Sequence, residues 1–194
     1  MYTCGKCFDI FVDISNTLYC SMDSIHQIVT KSLNTVSNAL TIIAGTGTAG
    51  NTSYMFQYPN GIFVNINFDL YVADWRNNRV QLFRSGELNA TTVAGNGAPG
   101  TIALNGPIGI VLDADNYLFV ADASNNRIVA SGPNGFRCLV GCSGGGTASD
   151  QLNHPTALSF DSYGNIFVTD CGNSRIQKLN LSTDLCVKCD EMNL

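Results

Sequence analysis

Three acid–base pairs recur at one interval in this 194-residue chain. Asp74 and Arg79, Asp122 and Arg127, and Asp170 and Arg175 form the pairs, and successive pairs lie 48 residues apart. A carboxylate and a guanidinium at this spacing could move a proton, hold a cation or form a structural ion pair. Triplication favours the ion pair. A reacting group is needed once, whereas a part that shapes every repeat must appear in every repeat. The expected chemistry is an Asp that accepts backbone N–H groups of the turn it enters, as in an Asx turn. The Arg opens the returning strand, within reach of that carboxylate or of a neighbouring repeat.

Other residues that could do chemistry are sparse. Asp13, Asp113 and Asp161 recur with Asn65 in the fourth place. Oxygen ligands of this type suit calcium, but no D-x-D-x-D-G loop is present, and turn formation is the expected role. His26 and His154 are the two histidines, with no HExxH and no third His to complete a zinc site. No Gly-x-Ser-x-Gly and no phosphate-binding loop occurs. The expectation is therefore no catalytic residue, no metal and no cofactor.

Eight cysteines are heavy usage. Cys4 and Cys7, and Cys186 and Cys189, form CxxC steps at opposite ends of the chain. Paired knuckles can bind zinc, but these lack the short separation of a zinc site, and disulfides are expected instead. Among Cys138, Cys142 and Cys171 at least one disulfide is expected. Cys142–Cys171 would join two loops on one side of the molecule. Cys138–Cys142 is the rival and needs the intervening segment to bend, because extended residues four apart lie about 13 Å apart.

The elements that carry these residues repeat with them. Leu70–Phe83 (LYVADWRNNRVQLF) recurs as Leu118–Ser131 and Ile166–Leu179. Each copy reads as strand, Asp-led polar turn and strand. Upstream, Gly61-Ile62-Phe63-Val64-Asn65 recurs as Gly109–Asp113 and Ala157–Asp161, and glycine-rich loops separate the units. One unit is therefore four strands. A worn copy precedes them: Asp9–Asp13 and Leu18–Ser21 keep the apolar columns, while Met22 and Gln27 stand where the Asp and Arg belong. A repeat at this period implies an array of like units rather than a single-core fold.

The pattern P-x-G-I-x-V-D followed by N-x-L-Y-V-A-D-x-x-N-x-R-I resembles the NHL repeat of β-propeller proteins. The resemblance implies an all-β fold of about four four-stranded blades around an axis, spanning roughly 9–45, 58–95, 106–141 and 154–187 in one domain. Thr183–Val187 is the expected outer strand of the last blade. Family propellers usually have about six blades. The chain thus forms either a tight four-bladed ring or an open arc, and blade one, which has lost its Asp and Arg, points to the arc. An arc exposes apolar side chains, expected to be Phe11 and Tyr19 on blade one and Phe167 and Ile176 on blade four, and so favours self-association.

Charge and composition narrow the role. A net charge of −5 with ten Lys and Arg argues against a nucleic-acid surface. No apolar run is long enough to span a membrane as a helix. The first residues are not a signal peptide. The cysteines, with sequons at Asn51, Asn89 and Asn180, nonetheless favour the extracellular space or the secretory pathway, and a fragment of a longer secreted protein is expected. Varied turn tips on a repeated scaffold point to binding of a protein, peptide or glycan. The candidate residues are Tyr58, Trp75, Arg76, Ser124 and His154. Trp75 is the single tryptophan and serves either as a binding anchor or as packing against the adjacent blade. The resemblance also implies two alternatives: the substrate-recognition part of a ubiquitin ligase, and a zinc-dependent lyase of peptide amidation.

Overall fold

A computed structural model describes residues 6–37 and 39–180. The architecture is all-β. Blade one comprises β1 (Asp9–Val12), β2 (Thr17–Met22), β3 (Gln27–Ser32) and β4 (Thr41–Ala44). Blade two comprises β5 (Pro59–Val64), β6 (Leu70–Asp74), β7 (Arg79–Phe83) and β8 (Thr91–Gly95). Blade three comprises β9 (Pro107–Leu112), β10 (Leu118–Asp122), β11 (Arg127–Ala130) and β12 (Arg137–Val140), and blade four β13 (Pro155–Phe160), β14 (Ile166–Asp170) and β15 (Arg175–Leu179). Each blade is an antiparallel meander in chain order. The outer strand expected at Thr183–Val187 lies outside the described residues.

Two turn types build every blade. The first hairpin closes on an Asx turn. Asp13 Oδ1 accepts N–H from Ser15 and Thr17, Asn65 from Asn67 and Asp69, Asp113 from Asp115 and Tyr117, and Asp161 from Tyr163 and Asn165. One carboxylate or amide oxygen thus satisfies two backbone donors that the turn would otherwise orphan. The second hairpin closes on a 3-10 turn capped by His26, Asn78, Asn126 or Ser174 in the left-handed region. Asn is among the few residues that adopt that conformation readily. The two turns lie at opposite ends of a blade, so the propeller has an Asx face and a 3-10 face. The loops that lead from one blade to the next arrive on the 3-10 face.

Alternation along the strands gives each blade two apolar surfaces, and blades stack through them. Tyr19, Ile28 and Ala44 of blade one meet Ile62, Val64, Leu70, Val72 and Phe83 of blade two, with Phe56 of the connecting loop between them. Ala73 and Val80 of blade two meet Ile110, Leu112, Leu118, Val120 and Val129 of blade three. Phe119, Ala121 and Ile128 of blade three meet Ile166 and Val168 of blade four. Among the described residues no such core joins blade four to blade one. Ile10 and Val12 are 60% and 47% exposed, and Ile176 is 63% exposed.

The unpaired surface of blade one is the reverse of the expected one. Tyr19 is buried, and Phe11 packs edge-on against Phe63 of blade two at 5.1 Å. Phe11 and Tyr19 face one another across the β1–β2 ladder, while Ile10 pairs with Cys20 and Val12 with Leu18 on the other side. All blades stack in one sense, so among the described residues the surface that faces onward is occupied in blade one and unoccupied in blade four. Phe167 and Ile176 do lie on that vacant surface of blade four, where Lys178 lies over the Phe167 ring at 5.7 Å.

Candidate binding surface

The three Asp–Arg pairs sit at the 3-10 face, each joining the ends of its blade's second and third strands. Asp74 pairs in register with Arg79, Asp122 with Arg127 and Asp170 with Arg175. Each Arg Nε donates to Asp Oδ2 at 2.7–2.8 Å, and all three carboxylates are fully buried. None of these carboxylates caps the N–H groups of its own 3-10 turn. The other Asp oxygen instead accepts the N–H of Gln57, Asn105 or Asn153 in the loop leading into the blade, at 2.7–2.8 Å. Asn77, Asn125 and Asn173 add a side-chain N–H to Oδ2. The guanidinium completes the tie. Arg79 donates to the carbonyls of Asn51, Thr52 and Met55, and Arg175 to those of Thr147, Ala148 and Gln151. Arg127 reaches only Ala103 in that way among its described bonds. The pairs therefore anchor the inter-blade loops, with both oxygens of each carboxylate committed to structure.

Electrostatics differ between the copies. Burial pushes the Asp74 carboxyl up, against the hydrogen bonds of Asn77, Gln57 and Arg79. Burial also acts to raise Asp170, but there the bonds from Asn153, Asn173, Arg175 and Gln177 prevail and hold it below the ordinary value. The Arg side chains are 8% exposed in blade two and 32% in blade four. In blade one, Met22 and Gln27 occupy the Asp and Arg places in register. Met22 is buried with Cys20 and Val29, so an apolar cluster replaces the ion pair.

Four of the candidate residues line the joints between blades on the 3-10 face. A single hydrogen bond recurs there. The backbone N–H of Tyr58, Gly106 and His154 reaches back to His26 Nδ1, Asn78 Oδ1 and Asn126 Oδ1 of the preceding blade, at 3.2, 2.8 and 2.8 Å. Tyr58, Gly106 and His154 all have positive φ, from 51° to 60°. His26 and His154 thus serve different joints and are not paired with each other. Among the described residues no group of three or more His, Cys, Asp or Glu could hold a metal ion.

Tyr58, Trp75 and Arg76 form one cluster with His26. The Tyr58 ring meets His26 edge-on at 4.9 Å and Trp75 at 6.2 Å. The Arg76 guanidinium lies 4.6 Å from the Trp75 ring and 5.8 Å from that of Tyr58, in the range of cation–π attraction. Tyr58 and Arg76 are exposed and Trp75 is half-buried. A polar hollow of ≈ 330 Å³, lined by Asn51, Arg76, Asn77, Arg79, Asn96 and Gly97, opens beside the cluster. Trp75 also packs on the next blade: a Cβ added at Gly106 would lie 2.9 Å from its Nε1 and 2.8 Å from Ser124 Oγ. Both roles expected of Trp75 are therefore compatible with its place. Ser124 holds the turn position of Arg76 in blade three, where Ala123 takes the place of Trp75, and His154 stands one joint further on. Gly106 and His26 are the participants that residue-by-residue reading missed. Their signal was the shared register of residues 58, 106 and 154, and of 26, 78 and 126.

The cysteines resolve into Cys7–Cys20 and Cys138–Cys142, with Cys171 free and exposed. Cys142–Cys171 does not form. The bend that its rival needs is supplied by a register shift between Ile128 and Val129 opposite β12, and by Gly141 at φ +75°. The Cα atoms of Cys138 and Cys142 thereby come within 5.8 Å. Cys20 was not among the expected bridging residues, because it occupies an apolar strand column. Cys4, Cys186 and Cys189 lie outside the described residues. Of the sequon asparagines, Asn51, Asn89 and Asn180 are all exposed, and Ser53 Oγ donates to Asn89 Oδ1 at 3.1 Å. No helix among the described residues is long and apolar enough to cross a membrane.

Comparison with known proteins bears on the fold. The family model described as NHL repeat matches residues 152–179. No curated protein matches the chain. A structural genomics protein of unknown function from Bacteroides thetaiotaomicron superposes with a TM-score of 0.70 at 13% identity, over 87% of this chain and 46% of that one. A chain of the nidogen/laminin complex superposes with a TM-score of 0.59 at 19% identity, over 88% of this chain and 63% of that one. The chain therefore spans less than two thirds of either neighbour. Residues 152–179 are thus an NHL repeat, and the chain is a β-propeller consistent with an NHL-repeat family.

Proposed function

We propose that this propeller is a non-catalytic module that binds a polypeptide through its 3-10 face. The observation that carries the reading is the cluster of Tyr58, Trp75, Arg76 and His26, which places three aromatic rings and a stacked guanidinium at one joint. Trp, Tyr and Arg are the side chains that most often dominate protein interfaces. They are pre-ordered here, since Trp75 rests on Gly106 and Tyr58 is tied to His26, so little entropy is lost on binding. The non-catalytic character is supported by the repeat carboxylates, whose oxygens are consumed by loop N–H groups and arginines. A neighbour in fold belongs to a complex of two proteins, nidogen and laminin. That neighbour and two disulfides support an extracellular setting, where the exposed Asn51 and Asn89 would carry glycans.

The test is selection from a displayed peptide library on the wild-type chain, with counter-selection on Trp75→Ala/Arg76→Ala, run beside a glycan array. The expected result is a peptide consensus that the double variant does not bind. Retention of the selected peptides by the double variant, or recognition of glycans alone, would overturn the reading.

A further inference from the structure

The opposite face carries a second feature. The Asx-turn ends of blades one, two and three line a half-open cavity of ≈ 310 Å³. Its floor is formed by the Phe11–Phe63 edge-to-face pair. Its mouth is formed by Val12, Ile14, Ile66 and Ala114. Ile14 and Ile66 are 77% and 75% exposed. They stand directly after the residue whose side chain makes the Asx turn, where blade three has Ala114 and blade four has Ser162. The turn itself therefore does not require an apolar residue at that place. Isoleucines that gain nothing from folding, gathered at the mouth of an aromatic-floored cavity, are what a partner's side chain would bury.

Charge states the partner's remaining chemistry. Asp13 and Asp113 line the cavity, and Asp115 is exposed between two lining residues. No described residue that lines it is a Lys, Arg or His. We propose that this cavity is a binding site, separate from the 3-10 face, for a polypeptide segment. The segment inserts one bulky aliphatic or aromatic side chain and flanks it with lysine or arginine. The apolar side chain fills the cavity between Ile14, Ile66 and Phe63, and the flanking cations meet Asp113 and Asp115 at the rim, Asp13 being buried and bonded to its own turn. The site stands or falls independently of the cluster around Trp75.

The probes are short capped peptides, Lys-Lys-Leu-Lys-Lys and Lys-Lys-Phe-Lys-Lys, with Lys-Lys-Ala-Lys-Lys and Glu-Glu-Leu-Glu-Glu as controls. They are titrated into isotope-labelled chain, and amide and methyl shifts are followed. Shifts confined to Ile14, Phe63, Ile66 and Ala114 with the Leu and Phe peptides alone are expected. Ile66→Ser borrows the residue of blade four, so it keeps the turn, and it is expected to weaken binding at least about tenfold. Asp115→Lys should weaken it with the Leu side chain still engaged. Equal binding of the Glu-flanked peptide, shifts spread over other surfaces, or unchanged affinity in Ile66→Ser would each overturn the proposal. So would concentration-dependent self-association that Ile66→Ser abolishes, because the occupant would then be a second copy.

Discussion

The indole of Trp75 lies across Gly106 of the next blade, so closely that a Cβ at Gly106 would stand 2.9 Å from Nε1. Positive φ alone does not demand glycine there, since Tyr58 and His154 hold the same conformation at the equivalent joints. The indole does. Gly106→Ala should therefore displace Trp75 and destabilise the chain by roughly 1–2 kcal/mol. Trp75 is the single tryptophan, so its fluorescence reports the displacement directly. In Trp75→Ala the same glycine change should cost markedly less. Equal costs in the two backgrounds would show that the indole is not the reason for the glycine.

The Asp–Arg pairs should carry stability. Asp122→Ala leaves Arg127, the N–H of Asn105 and the amide of Asn125 without their shared acceptor. Loss of about 1–3 kcal/mol is expected from urea unfolding. Met22→Asp in blade one should also destabilise, because Met22 is 5% exposed and Gln27 supplies no cation. An Asp122→Ala protein that unfolds like wild type would refute the anchoring role.

Gln81 offers a stabilising change. It is fully buried, and its Nε2 has no hydrogen-bond partner among the described residues, although Thr92 donates to its Oε1 at 2.7 Å. Gln177, at the same place in blade four, donates to the Gln151 carbonyl and to Asp170. Blade three has Val129 there, fully buried. Gln81→Val should raise stability by roughly 1 kcal/mol, because an orphaned donor leaves the core. A lower melting temperature for the variant would count against this account.

Acid should act on two groups of carboxyls with opposite sign. Burial opposes the ionisation of Asp13 and Asp170, but hydrogen bonds prevail and hold both below their ordinary value. Such groups stabilise the fold above the unfolded-chain value of about 3.9, and that contribution is lost as pH falls through the lower folded value. Burial pushes Asp9 and Asp74 up. Their effect runs the other way: stability is gained as pH falls from above the raised value towards about 3.9. Unfolding curves between about pH 3 and 7 should show Asp170→Asn with a flatter acid limb than wild type and Asp9→Asn with a steeper one. Parallel curves for all three proteins would contradict the assignment.

The two unpaired blade surfaces should make the isolated chain self-associate as its concentration rises. Ile10 and Ile42 on one, 60% and 56% exposed, and Ile176 on the other, 63% exposed, are the largest exposed apolar contributions. Sedimentation velocity should show the weight shifting to higher species, and Ile10→Ser with Ile176→Ser should suppress the shift. A wild-type monomer at millimolar concentration would dismiss this expectation.

The repeat, the strands and the Asp–Arg register were legible in the sequence because they are local. Asp74 meets Arg79 across a 3-10 turn, and Asp13, Asn65, Asp113 and Asp161 each close a hairpin on their own backbone. Local pairing writes itself into fixed spacings, and four copies make the spacing visible. Period-two alternation also revealed that each blade has two apolar surfaces. It could not reveal which surface meets a neighbour, and so Phe11 and Tyr19 went to the open side when they belong to the first joint. Their placement depends on the common sense in which the blades stack, which no single blade encodes. The same holds for His26 and Tyr58, 32 residues apart in the chain and joined only when two blades dock. Cys138 and Cys142 waited on a bulge and on Gly141 to bring them together. Spacing determined what each blade is, and docking between blades decided which residues share a surface.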